Sequence, residues 1–120
     1  MATGDYVHYD ENVDHLTIYK DDEQITSNID PGLVVVSLNK KREIIGLEFM
    51  GAHKNFSIPL LVFNGLAGCK VEIKYKPEKK ALVISLLLKY KQQESPLVYS
   101  SNNLDLGTNA FTDQFACSSA

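Results

Sequence analysis

The 120-residue chain is 44% hydrophobic and 22% charged and contains no tryptophan, an ordinary globular composition that argues against wholesale disorder and fits one domain. Its net charge of −3 is the remainder of an uneven layout, with −7 on residues 1–38, +7 on residues 39–91 and −3 on the rest. Two widely separated cysteines, Cys69 and Cys117, exclude a disulfide framework and a zinc ribbon. The longest apolar runs, 33–38 and 81–88, fall well short of the roughly 18–20 residues of a spanning helix.

The first residues, MATGDYVHYDE, hold neither a positively charged stretch nor an apolar run, so no secretory leader is expected and the protein is expected to be soluble and cytoplasmic. Period-two alternation then marks strands over 6–9 and 15–19, around the turn-rich Asp10-Glu11-Asn12-Val13. Asp21-Asp22-Glu23 forms a polar turn before a strand over 24–29, and Asp30-Pro31-Gly32 is a third turn signal. The β-branched run 33–38 has the length and apolarity of a central strand. A charged turn, Asn39-Lys40-Lys41-Arg42, leads to another strand over 43–50. Together these predict an antiparallel meander of five short strands.

The pattern changes at Ser57-Ile58-Pro59, followed by Leu60, Leu61, Phe63 and Leu66. This reads as a short helix with Ser57 as cap, Pro59 in the first turn and Gly65 as a left-handed stop, with a buried strand as the alternative. Strands follow over 71–75 and 82–90, around Lys76-Pro77-Glu78-Lys79-Lys80, and an eighth over 97–100. Residues 101–120 are small and polar, with Leu104, Leu106, Phe111 and Phe115 as docking points, and are expected as a tail or as an arm packed on a neighbour.

The expected class is mainly β (α+β): antiparallel hairpins with one short helix, in a single domain over 1–100 whose halves span about 5–53 and 70–100. The expected core comprises Val7, Leu16, Ile18, Val34, Val36, Ile45, Leu47, Leu61, Phe63, Ile73, Leu82 and Ile84. An internal repeat at an offset of 66 aligns Tyr9 with Tyr75, Leu16 with Leu82 and Ile18 with Ile84, and Val7 with the similar Ile73. Two like hairpins, each with one apolar face, would close one core by stacking.

The segment Val7-His8-Tyr9-Asp10, then Val13-Asp14-His15-Leu16-Thr17-Ile18, then Asn39 through Phe49 resembles the domain-of-unknown-function 2283 family. The family pattern is a strand ending in Tyr-Asp, an Asp before a Leu-Tyr-Ile-like strand, and a closing strand D-x-x-G-x-I-V-G-I-E-I. The resemblance covers residues 5–53. Asn39 and Lys41–Arg42 replace the usual acidic-Gly turn, and His15 replaces a common small residue. No catalytic residues are established for the family, so none is carried over; the resemblance implies a binding role beside a toxin-like partner.

Pairing Tyr9 with Asp14 across the first hairpin would set His8 opposite His15, close enough for two imidazoles to share a metal, with Asp10, Glu11 or His53 at hand as further ligands. The alternative is two solvent-side histidines. Asp10 and Asp14 also read as turn residues that accept backbone amides, and Gly46 as a structural glycine within a strand. There is no calcium-loop pattern, no nucleophile elbow and no phosphate-binding glycine loop, so no cofactor is expected and enzyme activity has no motif behind it. A lysine-rich face of Lys70, Lys74, Lys76, Lys79, Lys80, Lys89 and Lys91, interleaved with Tyr75 and Tyr90, is a nucleic-acid candidate, although Arg42 is the lone arginine and the isoelectric point is about 5.5. Exposed lysines also protect sheet edges. Three readings follow in order: a non-enzymatic protein-interaction module that binds a partner protein or itself as a symmetric dimer; a nucleic-acid-binding module; and a metal site at His8 and His15. No membrane partner is expected.

Overall fold

The computed structural model describes residues 5–20, 24–29 and 32–119; the turns expected at Asp21-Asp22-Glu23 and Asp30-Pro31 lie outside the described residues. The protein is mainly β, as the alternation predicts. The first hairpin pairs β1 (Tyr6–Asp10) with β2 (His15–Tyr19), burying Val7, Leu16 and Ile18 on one face while His8 stands on the other. The third strand, β3 (Ser27–Ile29), is shorter than the 24–29 expected, and it flanks β4 (Val34–Leu38) and β5 (Ile44–Met50). Instead of continuing a simple meander, β5 pairs with both β4 and β2.

Two short helices, rather than one, link the halves: α1 (Ala52–Asn55) and α2 (Leu60–Asn64). Ser57 does not cap α2. Pro59 occupies the position before the first helical residue, and no side chain bonds the helix start. Gly65 ends the helix as expected, but at φ −110°, outside the left-handed region. The helix directs Val62 and Phe63 inward, so Leu61, one residue away and about 100° around the axis, is 64% exposed and drops out of the expected core.

The second half contributes β6 (Leu66–Lys76), β7 (Ala81–Tyr90) and β8 (Gln93–Ser101). The repeat is real in register: Tyr9 faces Leu16 as Tyr75 faces Leu82, and Val7 faces Ile18 as Ile73 faces Ile84. Each hairpin ends its turn on a left-handed residue, Asp14 (φ 55°) and Lys80 (φ 48°), a geometry that matches the strand twist. The segment expected as a polar tail carries a ninth strand, β9 (Phe111–Ser119). It pairs antiparallel with β6 from Gly68 to Tyr75 and parallel with β1 at Tyr6 and Val7.

The sheet order is therefore β3-β4-β5-β2-β1-β9-β6-β7-β8, one mixed sheet with β9 joining the halves. The sheet curls so that its inner faces share one core. Tyr9 stacks on Phe63 at 4.8 Å and Tyr75 on Phe111 at 5.5 Å, while Phe56 bridges Phe49 and Tyr99 edge-on at 5.9 and 6.4 Å. Among the described residues no helix is long and apolar enough to cross a membrane.

Candidate functional site

The β1–β2 turn is tied to α1 through Asp14. Its left-handed backbone turns the carboxylate back over the hairpin, where Oδ1 accepts the Tyr9 hydroxyl at 2.6 Å and the His53 amide at 2.8 Å, and Oδ2 accepts the Lys54 amide at 3.1 Å. These are free amides of the first turn of α1, so one side chain fastens the hairpin and starts the helix. Burial pushes the Asp14 carboxyl up, but the Tyr9 hydroxyl and the two amides outweigh it and hold the group below its ordinary value. The Tyr9 phenol moves strongly upward, first by burial and then by its bond to Asp14.

The contact between Tyr9 and Asp14 is thus made by side chains and not by strand pairing. The ladder sets His8 opposite Thr17 and His15 opposite Asp10, because Asp14 belongs to the turn and not to β2. This corrects the expected rung: His8 and His15 share the outer face as diagonal neighbours. His15 Nδ1 lies 3.1 Å from Glu48 Oε1, Asp10 accepts the Asn12 amide at 2.9 Å as a turn residue, and His53 Nδ1 lies 2.9 Å from the Ile58 carbonyl. Among the described residues no group of three or more His, Cys, Asp and Glu is arranged to hold a metal ion.

Gly46 sits on the same outer face, between Tyr19 and Ser37 on its two neighbouring strands. A Cβ there would lie 3.2 Å from Ser37 Cβ and 3.3 Å from the Tyr19 ring, so the missing side chain lets that ring lie close to the sheet.

In the lysine-rich half, alternation divides the candidates. Lys74 and Lys76 point outward, while Tyr75 is 1% exposed on the opposite face. Its hydroxyl donates to the Leu104 carbonyl at 2.7 Å and accepts the Leu106 amide at 3.0 Å. Tyr75 therefore anchors the chain that leads to β9 and offers no ring face to a base, contrary to its expected stacking role. Lys79 and Lys80 are exposed in the turn, Lys74 lies 3.6 Å from Glu72, and Lys70 lies 3.5 Å from Glu94.

The outer face of β6, β7, β8 and β9 carries a groove of about 620 Å³. Its apolar lining includes Leu87, Pro96, Val98 and Ala116, and Lys70, Glu72 and Gln114 also line it. Leu87 is 37% and Val98 60% exposed. None of these apolar positions was singled out as a site from sequence. The available signal was the apolar run 81–88, interrupted only by Ser85, which supplies nonpolar side chains to both faces of β7. A second cavity of about 410 Å³ lies where the halves meet, lined by Lys20, Arg42, Ile45, Phe111 and Asp113 among others. There Lys20 bridges to Asp113 at 2.7 Å and lies 4.5 Å from the Phe115 ring centroid.

The fold and these features define a small β-sheet scaffold with a bonded turn and an apolar outer groove. Residues 6–53 match the model of a family described as a protein of unknown function (DUF2283), and the rest of the chain is unmatched. The match spans β1 to the start of α1 and includes Tyr9, Asp14, Gly46 and His53. Comparison with curated proteins and with solved structures found no match.

Proposed function

We propose that the chain is a non-enzymatic protein-interaction module whose outer groove on β6–β9 receives a second copy of itself. The observation that carries this reading is an apolar groove open to water, with exposed Leu87 and Val98 beside Lys70 and Glu72. Charge complementarity selects the occupant. Residues 39–91 carry +7 and residues 1–38 carry −7, yet among the described residues no ion pair joins an acid of 5–38 to a base of 39–91. A two-fold arrangement would bring acids of the first half of each copy, such as Asp10 and Glu11, beside the lysine-bearing outer face of β6 and β7 of the other. Face packing is favoured over strand addition, since Pro96 removes one backbone donor from the outermost strand β8.

Light scattering across a concentration series, at low and high salt, tests the reading. The expected species is a dimer of twice 13.4 kDa that weakens as salt rises and is lost in Val98→Asp and Leu87→Asp, both exposed positions where a carboxylate repels the acidic half of the other copy. A monomer at every concentration overturns it. Binding of mixed-sequence single-stranded RNA that persists in monomeric Val98→Asp and disappears when Lys76, Lys79 and Lys80 become Gln would overturn it in favour of a nucleic-acid module.

A further inference from the structure

Cys69 and Cys117 stand 48 positions apart in sequence, and the fold sets them directly opposite each other on β6 and β9. Both are free and on the inner face, 1% and 6% exposed. The next residue, Ser118, sends its amide to the Asp5 carbonyl on the β1 side at 3.1 Å. Cys117 therefore turns its own amide and carbonyl toward β6, which makes the cysteine rung a hydrogen-bonded one with Cα atoms about 5.5 Å apart. That separation falls within the roughly 4.4–6.8 Å of disulfides and near their commonest value. Gly68 keeps the strands at this distance: a Cβ there would lie 2.7 Å from the Cys117 carbonyl oxygen.

We propose that Cys69 and Cys117 form a reversible dithiol–disulfide site that fastens β9, the strand joining the two halves, to β6. The oxidant is a low-molecular-weight disulfide. One cysteine thiolate attacks it, forming a mixed disulfide and expelling one small thiolate. The second cysteine then attacks the mixed disulfide, closing the Cys69–Cys117 bond and expelling the other. Two protein S–H bonds are lost, one S–S bond forms, and the two protons and two electrons leave with two small-molecule thiols. Burial, with the neighbouring Cys117, pushes Cys69 up to about 12. Burial and Asp5 push Cys117 up to about 12 against the opposing pull of Lys20. Thiolate is scarce at neutral pH, so exchange proceeds slowly and through opening of the C-terminal end of β9.

The test incubates the full chain with glutathione disulfide at pH 8 and reads intact mass, alkylable thiols, linked peptides and melting temperature. The expected product is a single chain about two hydrogen masses lighter, with no alkylable thiol and a Cys69–Cys117 linked peptide. Its melting temperature rises by about 5–15 °C, and dithiothreitol reverses the change. Cys117→Ser should never bridge; if that variant fails to fold, the wild-type mass and melting data decide alone. Persistent glutathione adducts on one cysteine, covalent chain-to-chain dimers, two unreacted thiols after days, or a lowered melting temperature would each overturn the proposal.

Discussion

Replacing Asp14 with alanine removes one acceptor group from three donors, the Tyr9 hydroxyl and the amides of His53 and Lys54. A hydrogen bond to a charged group contributes about 1.5–3 kcal/mol and a helix cap about 1 kcal/mol, but water reaches the two exposed amides and replaces part of that. The side-chain loss is then about 2–3 kcal/mol. Alanine at φ 55° keeps the left-handed strain that Asp14 already bears, whereas Asp14→Gly relieves about 0.5–1 kcal/mol of it net, so the glycine variant should lose about 1–2.5 kcal/mol. Urea unfolding with an unchanged denaturant slope is the assay. The pH dependence has a definite sign. A carboxyl held below its ordinary value stabilises the fold above about pH 4 and loses that contribution as pH falls through its lower folded value. The gap between wild type and Asp14→Gly should accordingly be full at pH 7 and close toward pH 2. A glycine variant within 0.5 kcal/mol of wild type, at the order of ordinary surface changes, would refute the reasoning, as would a gap unchanged between pH 7 and pH 2.

Two further substitutions follow from backbone and packing. Arg42 holds φ 61° where the family pattern has glycine, so Arg42→Gly should raise unfolding stability by about 0.5–1 kcal/mol, the left-handed strain relieved less the entropy that glycine adds to the unfolded chain. A melting temperature that falls instead would show that the arginine side chain outweighs its backbone. Phe63→Ala should cost about 3–5 kcal/mol, since the ring is buried and stacked on Tyr9, whereas Leu61→Ala should change stability by under about 0.5 kcal/mol. Parallel denaturant curves of the two variants check the contrast, and similar losses at both positions would contradict the orientation of α2.

Strand alternation made the first hairpin legible, because inward and outward residues of β1 and β2 differ in polarity, while β4 and β7 were legible as apolar runs of strand length. The register of the first hairpin was not legible. Nothing in Asp10-Glu11-Asn12-Val13-Asp14 states that Asp14 turns left-handed and stays out of β2, and that single residue moves His8 from His15 to Thr17. Strand β9 was hidden for a different reason. Its Phe111, Asp113, Phe115 and Cys117 alternate with Thr112, Gln114 and Ala116, and the charged Asp113 among them leaves a pattern too weakly apolar to mark a strand until β1 and β6 supply a partner on each side. The cysteine pair was illegible on the same ground, since a register between β6 and β9 cannot be read while β9 is unseen. The groove was half visible: the run 81–88 foretold apolar side chains on both faces of β7, but Val98 and Ala116 join it through pairing across four strands.

The family-like segment is not a self-sufficient unit in this chain. Strands β1 to β5 present Leu16, Val34, Val36, Leu47 and Phe49 on one inner face, and the aromatic residues that pack with that face and its hairpin, Phe56, Phe63 and Tyr99, all come from beyond residue 53. On the other side, β1 would be a sheet edge at Tyr6 and Val7 without β9. Isolated, such a sheet would expose both an apolar face and an unpaired edge, the two features that drive strands to find a partner. Here Phe56, helix α2 and strand β8 supply the cover, and the C-terminal strand closes the edge. What stays open after that closure is the outer groove of the second half, with Leu87 and Val98 exposed, which is why association is placed on β6–β9 and not on the family-like hairpin.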